Sequence, residues 1–323
     1  MIIMNILITD KVEDEVISSF KKAGYEVTYN EMDAQTLLSE ISKYDALMVR
    51  SRTKVTGDVI NAGVKGKLKV IGRAGVGVDN IDVKTASEKG VKVVNAPTGS
   101  TVSVAELTMG MMIAASRSIP QADSSMKQGK WEKKTFKGVE LSGKTLGVIG
   151  IGRIGLEVAN RALAFNMRVI AFDKYVTKSP SPRRVKMVSL DRLLCESDYI
   201  TLHIPFIKEE GAILRENEFE RMKSNVIIIN CARGGVVDEK ALLKYLNNGK
   251  VYAAALDVYE VEPPVFKDLI NHPRVICTPH IGASTKEAQL KAGMICVEQI
   301  IKALKEEKPE YWVNKELLER QVA

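Results

Sequence analysis

Histidine, the side chain that most readily gains and loses a proton near neutral pH, occurs only three times in this 323-residue chain. His280 closes the apolar run VICTPH and precedes the loop IGAST. Open α/β folds bind ligands beyond the carboxyl ends of their parallel strands, so this position favours a general acid/base role. A structural loop histidine fits it equally well. His203, in YITLHIP, fits a binding pocket or structural packing better than catalysis, and His272, before a proline, fits a solvated loop.

Two further charged side chains follow predicted strands. Arg233 lies in CARGG after the run NVIIINCA, where flanking glycines would leave its guanidinium able to bind a carboxylate through two hydrogen bonds. Glu262 lies in YEVEPP after VYAAALDV, and beside a histidine it would raise the pKa of that histidine and favour the protonated donor. The alternatives are a surface arginine in a turn and a solvated loop carboxylate.

A metal site is the other chemistry that these residues could suggest. His272, Cys277 and His280 are close in sequence, but Cys277 and His280 are an odd number of residues apart on one predicted strand. Their side chains should therefore point to opposite faces of the sheet. We expect no metal.

A second candidate ligand site lies in a glycine-rich segment between residues 141 and 173. An apolar strand, residues 145–149, leads into the GxGxxG motif of Gly150, Gly152 and Gly155; a helical pattern and a second strand, residues 168–172, follow and end at Asp173. The motif alone is a weak signal, but the complete βαβ unit predicts dinucleotide binding, with the pyrophosphate at the helix N-terminus near Arg153. Asp173 at the adenosine ribose favours NAD over NADP, although the adjacent Lys174 weakens that preference.

Composition excludes several classes. Apolar residues make up 45% of the chain, enough for two cores, and no apolar run reaches the length of a membrane span. We expect a first strand rather than a signal peptide at residues 1–8, reduced thiols at the four widely spaced cysteines, and a cytoplasmic protein. The net charge of +7 fits acidic small molecules, nucleic acid or a solvated lysine-rich surface, of which the last is the commonest.

The alternation of apolar strands with helical patterns predicts an α/β protein with two doubly wound parallel-sheet domains and a cleft between them. We expect residues 1–98 and 284–323 to form a flavodoxin-like substrate domain, and residues 99–283 to form a Rossmann domain for NAD. The crossings near residues 97–99 and 282–285 are the expected hinges. The predicted helix over residues 103–119 is rich in methionine, which is typical of a core or of a subunit interface.

Four motifs occur in order, GVIGIGRIG, CARGGVVDEKAL, ALDVYEVEPP and TPHIGASTKEA, and the chain resembles the D-isomer-specific 2-hydroxyacid dehydrogenases over essentially its whole length. The resemblance implies hydride transfer between C2 of a D-2-hydroxy acid and the nicotinamide of NAD. It also implies a homodimer in which residues 103–130 pack between subunits. The chain ends about 40 residues after His280, so we expect no room for the C-terminal regulatory domain of longer relatives.

The same resemblance assigns roles to individual residues. His280 is implied to be the acid/base, Glu262 its partner and Arg233 the clamp for the substrate carboxylate and carbonyl. The cofactor residues are implied to be Gly150, Gly152, Arg153, Ile154 and Gly155 at the pyrophosphate, Asp173 at the ribose, His203 and Pro205 at the adenine, Thr108, Cys231 and Asp257 at the nicotinamide, and Gly282. Backbone N–H groups of Val76 and Gly77 are implied to bind the substrate carboxylate. The loop FIKEEG after Pro205 departs from the family, whose members usually carry hydroxyl residues there.

Within the family, the segments VRSRTKVTGDVI, GRAGVGVDNID, GKWEKKTF and HIGASTKEAQ are most similar to members that act on 3-phosphoglycerate. Arg50, Arg52 and Lys133 are then the expected phosphate ligands, with small molecules rather than nucleic acid or membrane as partners. By composition alone, the lysines around Lys133 would form a solvated basic face. The alternatives are a glyoxylate or hydroxypyruvate reductase, and an NAD-sensing protein similar to a corepressor.

Overall fold

The computed structural model describes residues 3–181 and 184–322. The chain forms two compact units, one containing the residues up to Ser100 and those from Ala283 onward, the other containing Thr101–Gly282. The first predicted domain limit, after residue 98, lies two residues before the observed one, and the second, after residue 283, lies one residue beyond it. Among the described residues, no helix is both long and apolar enough to cross a membrane.

The described residues contain twelve strands, all of which pair in parallel. In chain order they are β1 (Asn5–Ile8), β2 (Glu26–Tyr29), β3 (Ala46–Val49), β4 (Val70–Arg73), β5 (Lys92–Asn95), β6 (Thr145–Ile149), β7 (Arg168–Phe172), β8 (Val185–Met187), β9 (Tyr199–Leu202), β10 (Val226–Asn230), β11 (Val251–Leu256) and β12 (Val275–Cys277).

The helices in the same part of the chain are α1 (Asp14–Lys22), α2 (Ala34–Glu40), α3 (Gly57–Val64), α4 (Val83–Glu88), α5 (Thr101–Arg117), α6 (Ile119–Lys127), α7 (Arg153–Ala164), α8 (Leu190–Glu196), α9 (Glu216–Arg221), α10 (Glu239–Asn247), α11 (Lys267–Ile270), α12 (Lys286–Leu304) and α13 (Lys315–Val322). A short 3-10 turn, Ile41–Lys43, follows α2. The predicted first strand is shorter than expected, and Met1 and Ile2 lie outside the described residues.

The first unit has a five-stranded sheet in the order β2-β1-β3-β4-β5, which is the flavodoxin-like order. Its central strands are apolar on both faces because side chains alternate along a strand. Leu7 and Leu47 pack on one face, whereas Ile6 and Met48 pack on the other with α12. The C-terminal segment completes this unit, since Trp312 forms an antiparallel bridge with Val94.

The second unit has a seven-stranded sheet in the order β12-β11-β10-β9-β6-β7-β8. The strand order reverses at β6, which pairs with β7 on one side and β9 on the other. This is the doubly wound dinucleotide-binding topology, and the predicted fold class is confirmed. The edge strand β8 was missed because three residues carry too little periodicity to be recognised.

The methionine-rich helix α5 belongs to the core of the second unit. Met109, Met111 and Met112 are buried with strand residues such as Ile229 and Ala255. Of the two interpretations of the methionine pattern, a core helix is therefore the one that the structure shows for these three side chains.

Candidate active site

Three predicted catalytic side chains follow three neighbouring strands. Arg233 lies three residues after β10, Glu262 six residues after β11, and His280 three residues after β12. Strand β11 pairs with both β10 and β12, so the three segments leave the same edge of one parallel sheet side by side. This is the edge at which doubly wound folds bind their ligands.

His280 and Glu262 form a direct pair. The distance between Nδ1 of His280 and Oε2 of Glu262 is 2.7 Å, and both side chains are partly exposed, at 49% and 39%. The other carboxylate oxygen of Glu262 accepts the backbone N–H of Tyr259 at 3.2 Å. A carboxylate at Nδ1 orients the imidazole ring and leaves Nε2 for proton exchange. The pairing favours the acid/base interpretation over an isolated loop histidine.

His280 lies outside strand β12. We placed Cys277 and His280 on a single strand, but β12 ends at Cys277. His280 has a φ of 52°, in the left-handed region that side chains other than glycine rarely adopt. The alternation of side chains along a strand therefore does not determine the direction of His280. The described residues contain no group of three potential metal ligands.

Asp257 holds the segment that carries His280. Its buried carboxylate accepts the Thr278 hydroxyl at 2.6 Å and the backbone N–H groups of Ile281 and Gly282, each at 2.8 Å. The backbone N–H of His280 donates to the Asp257 carbonyl at 2.9 Å. These four hydrogen bonds enclose His280 on both sides and stabilise its left-handed backbone. Asp257, which the resemblance placed at the nicotinamide, thus has a structural task as well.

Arg233 lies in a turn that Asn230 organises. The Asn230 side chain accepts the N–H of Ala232 at 3.1 Å and donates to the Arg233 carbonyl at 3.0 Å. Nη1 of Arg233 donates to the Ala232 carbonyl at 2.7 Å. A Cβ atom on Gly234 would lie 1.7 Å from the carbonyl oxygen of Tyr259. Glycine is required there for close packing against the backbone that precedes Glu262, a reason that differs from the freedom of the guanidinium that we had expected.

Thr108 and Cys231, expected near the nicotinamide, are both buried. The Thr108 hydroxyl donates to the Val104 carbonyl at 2.8 Å, and the Cys231 thiol lies 3.5 Å from the sulfur of Met111. Burial raises the pKa of the Cys231 thiol to about 12, so the thiol is neutral at physiological pH. Cys231 is suited to pack as a small apolar group rather than to act as a nucleophile.

The glycine turn follows β6 at the switch point of the sheet. Gly150 has a φ of 94°, and a Cβ there would lie 2.6 Å from the His203 carbonyl oxygen. A Cβ on Gly155 would lie 2.0 Å from the Gly150 carbonyl oxygen, whereas one on Gly152 would meet no atom within 4 Å. Gly152 caps α7, whose first residues are Arg153 and Ile154. The turn therefore leaves its backbone open at Gly152, as close approach of a pyrophosphate requires.

Asp173 connects the end of β7 to that turn. One of its carboxylate oxygens accepts the N–H of Ile151 at 2.9 Å, and the other accepts those of Tyr175 and Val176 at 2.8 and 2.9 Å. Asp173 lines a cavity of about 540 Å³ together with Gly152, His203 and Pro205. A mostly apolar cavity that has a carboxylate and a glycine turn on its wall fits the adenosine half of a dinucleotide.

His203 is a neutral wall residue of this cavity. Burial lowers its pKa to about 3, so the ring is uncharged at physiological pH. Its Nε2 lies 3.0 Å from the Thr201 hydroxyl, and within the described part of the chain its buried Nδ1 has no hydrogen-bond partner. His272 is partly buried rather than fully solvated, and burial followed by the charge of Arg274 lowers its pKa.

The residues expected at the substrate phosphate have different surroundings. In the first unit, Nε of Arg52 lies 3.3 Å from the buried carboxylate of Asp10, and the same guanidinium donates to the Thr9 carbonyl. Arg50 donates through Nη1 to the Lys11 carbonyl at 3.0 Å. In the second unit, Lys133 is exposed on the segment after α6. Asp10 partly neutralises Arg52, which the sequence pattern did not suggest.

Val76 and Gly77, the expected backbone donors to the substrate carboxylate, follow β4 in the first unit. The Val76 carbonyl accepts the side-chain N–H of Asn95 at 2.6 Å, which joins this segment to the end of β5.

Sequence reasoning missed several polar side chains that support the site. Asn230 holds the turn that carries Arg233, and Glu239 and Glu260 connect α10 to the segment before Glu262. The signal was present for Asn230 and Asp10, since each is a polar residue at the end of an otherwise apolar strand sequence and each is buried. Buried polar groups of this kind are nearly always hydrogen-bonded and so mark organised turns.

The carboxyl edge of the doubly wound sheet carries two groups of residues: Arg233, Glu262 and His280 form one, and the glycine turn with Asp173 forms the other. Together with the fold they define the class, an α/β dehydrogenase that binds a dinucleotide. Residues 109–282 match the family model of the D-isomer specific 2-hydroxyacid dehydrogenase, NAD binding domain. The chain belongs to the D-isomer specific 2-hydroxyacid dehydrogenase family. The resemblance inferred from the motifs is confirmed, as is NAD as the cofactor.

The chain is 50% identical over 305 residues to the D-3-phosphoglycerate dehydrogenase of Archaeoglobus fulgidus, an alignment that covers 94% of this chain and 58% of that protein. It is 51% identical over 286 residues to the hydroxypyruvate reductase of Thermotoga maritima, covering 88% of this chain and 92% of that protein. The solved structure of a glyoxylate reductase from Paecilomyes thermophila matches with a TM-score of 0.89 at 29% identity, covering 98% and 100%. The chain spans less than two thirds of the length of the phosphoglycerate dehydrogenases it matches.

Proposed function

We propose that this protein is a D-3-phosphoglycerate dehydrogenase that interconverts 3-phosphoglycerate and 3-phosphohydroxypyruvate with NAD, the first reaction of the phosphorylated route to serine. The observation that carries the chemistry is the 2.7 Å pair of His280 and Glu262 beyond adjacent strands of one sheet. The substrate assignment is supported by about 50% identity to proteins of that name from Archaeoglobus fulgidus and Methanocaldococcus jannaschii.

NAD, when bound, supplies the carbon that accepts or returns a hydride. The chain's own residues handle the proton and the orientation of the substrate. In oxidation, Nε2 of His280 takes the proton of the substrate C2 hydroxyl, and the Glu262 carboxylate stabilises the resulting imidazolium. In reduction, the protonated ring returns that proton. Arg233 binds the substrate carboxylate, because a guanidinium matches a carboxylate with two parallel hydrogen bonds.

The residues around the glycine turn would hold the cofactor. Gly152 and the first turn of α7 offer backbone N–H groups to the pyrophosphate, and Asp173 is the acceptor for the ribose hydroxyls. His203 and Pro205 are the cavity wall for the adenine. A neutral His203 suits this place, since an uncharged aromatic ring packs against a base without the large desolvation cost of a buried charge.

The phosphate of the substrate requires cations beyond Arg233. Arg50, Arg52 and Lys133 are the proposed ligands, supported by Val76 and Gly77 at the carboxylate. Asp10 already pairs with Arg52, so we expect Lys133 to contribute more than Arg52 to the binding free energy of the substrate phosphate. The exposed lysines beside Lys133 would add attraction that weakens with salt; they are Lys127, Lys130, Lys134 and Lys137.

A hydroxypyruvate reductase is the second candidate. It is favoured by the relative from Thermotoga maritima, 92% of which is covered by this chain. The discriminating experiment compares kcat/KM for phosphohydroxypyruvate and hydroxypyruvate with NADH, at low and high salt. The phosphorylated substrate should be preferred by at least about 100-fold, since a dianion makes several charge-assisted hydrogen bonds. Lys133→Ala should narrow that preference, with Arg52→Ala as the comparison. Equal efficiency on the two keto acids would identify the reductase instead.

We also propose a cytoplasmic homodimer. Free cysteines throughout the described residues fit a reducing compartment. Trp131, Met126 and Ile119 lie on or next to α6 and are exposed at 79%, 55% and 48%, which supports an apolar contact surface there. Light scattering coupled to size exclusion should give the mass of a dimer for the wild type, and Trp131→Glu should shift the population toward the monomer.

A further inference from the structure

The unusual loop FIKEEG, residues 206–211, places a carboxylate next to the end of β7. Oε1 of Glu210 accepts a hydrogen bond from Nζ of Lys174 at 2.7 Å. Lys174 directly follows Asp173, and its Nζ lies 5.7 Å from the centre of the Tyr175 ring. Glu210 raises the pKa of Lys174. All four side chains line the 540 Å³ cavity.

We propose that Glu210 is a specificity-determining residue that makes the adenosine site select NAD over NADP by occupying Lys174. The inference rests on the dinucleotide site and is independent of which 2-hydroxy acid is the substrate. Asp173 alone leaves the selection incomplete, because a lysine beside it offers a 2′-phosphate an attractive partner. The pairing with Glu210 engages the ammonium group of Lys174, which an incoming phosphate would otherwise bind.

The charge balance of the cavity supports this role. Its charged lining residues are Asp173, Lys174, Glu210, Arg215 and Glu218, which together carry a net charge of −1. Arg215 is directed to backbone carbonyls, those of Ala212 and Glu210. Removal of the Glu210 charge brings the net charge to zero and leaves Lys174 as the cation nearest to Asp173 in sequence. A 2′-phosphate, which brings about two negative charges, responds to that change far more than a ribose hydroxyl does.

Glu210 is held on a structured turn. Its N–H and that of Gly211 both donate to the Ile207 carbonyl at 3.0 Å, and its own carbonyl accepts the Arg215 guanidinium. Gly211 has a φ of 68°, which allows the chain to reverse at this point. The carboxylate thus approaches Lys174 from a fixed loop. The pair is about half exposed, so its removal should change stability little while it changes the local potential.

The test measures dissociation constants of NADH and NADPH by calorimetry on the purified full chain, for the wild type, Glu210→Gln and Glu209→Gln. Glu209 is the matched control because it removes the same charge one residue away and does not line the cavity. We expect the wild type to bind NADH more tightly. Glu210→Gln should narrow the NADH preference by about three- to tenfold at low salt, mainly through tighter NADPH binding. Glu209→Gln should leave the ratio unchanged.

The double variant Lys174→Ala/Glu210→Gln decides whether the gain in NADPH binding passes through Lys174. It should lose most of that gain. The proposal is overturned if Glu210→Gln keeps the wild-type ratio, if Glu209→Gln shifts it equally, if the double variant retains the gain, or if the wild type already binds NADPH as tightly as NADH. Because binding is measured without a keto acid, absence of turnover on phosphohydroxypyruvate would remove the proposed substrate and leave this result intact.

Discussion

Glu239 and Glu260 exchange hydrogen bonds, each carboxylate accepting the backbone N–H of the other residue at 2.8 and 3.0 Å. Glu239 is the first residue of α10, which follows the Arg233 turn, and Glu260 precedes Glu262 by two residues. The close contact of Gly234 with the Tyr259 carbonyl reinforces the same junction. These contacts therefore hold the segments that carry Arg233 and Glu262 against each other. Glu239 and Glu260 themselves are not expected to contact substrate.

The first prediction tests this junction. Glu239→Ala removes the acceptor for the N–H of Glu260 and should lower the free energy of unfolding by about 1–2 kcal/mol. It should also reduce kcat/KM several-fold while the dissociation constant of NADH stays nearly constant. Glu239→Gln retains a carbonyl acceptor and should restore much of both losses. Urea unfolding and steady-state kinetics measure the two effects, and equal behaviour of the Ala and Gln variants would show that charge, not the hydrogen bond, matters.

The second prediction concerns His280. His280→Ala should reduce kcat by at least about 100-fold, because the substrate hydroxyl loses its general base, while NADH binding remains near the wild-type value. Glu262→Gln keeps a hydrogen-bond acceptor at Nδ1 but loses the charge that stabilises the imidazolium, so its kcat should fall less than that of His280→Ala. Near-normal turnover in His280→Ala would remove this residue from the mechanism.

The third prediction concerns the hydrogen bonds by which the Asp257 carboxylate holds the segment around His280. Asp257→Asn presents one carbonyl oxygen and an NH₂ group where the carboxylate accepts three hydrogen bonds. In either orientation of the amide, one backbone N–H, that of Ile281 or of Gly282, then faces another donor, which should cost about 1–3 kcal/mol of stability. Chemical denaturation should detect this loss, and kcat should fall because His280 is held less firmly. A variant with wild-type stability would show that the three hydrogen bonds are not needed for the fold.

The fourth prediction is a pH dependence that arises from His203. Its pKa of about 3 in the folded protein lies below the ordinary histidine value of 6.5, so the unfolded chain binds more protons between these values. The free energy of unfolding should therefore decrease as the pH falls below about 6.5. Between about pH 7 and pH 5.5 the wild type should lose about 1 kcal/mol more than His203→Gln. Parallel stability curves for the two proteins would contradict the depressed pKa.

The sequence by itself determined the local elements and the motif positions. Eleven of the twelve strands in the described residues coincide with short apolar runs that predict parallel strands; β8, with three residues at a sheet edge, was not predicted. The glycine motif also agrees with the space around it: Gly150 has a φ of 94°, a Cβ on Gly152 would meet no atom within 4 Å, and a Cβ on Gly155 would lie 2.0 Å from the Gly150 carbonyl oxygen.

Only the tertiary structure decided which distant side chains meet. The pairing of Glu262 with His280, the exchange between Glu239 and Glu260, the neutralisation of Arg52 by Asp10 and the capture of Lys174 by Glu210 each join segments 18 to 42 residues apart. Their contacts depend on strand order and loop conformation, which no local periodicity specifies. Likewise the backbone of His280 leaves the strand conformation because the Asp257 carboxylate binds the segment around it, a tertiary interaction that overrides the apparent continuation of β12.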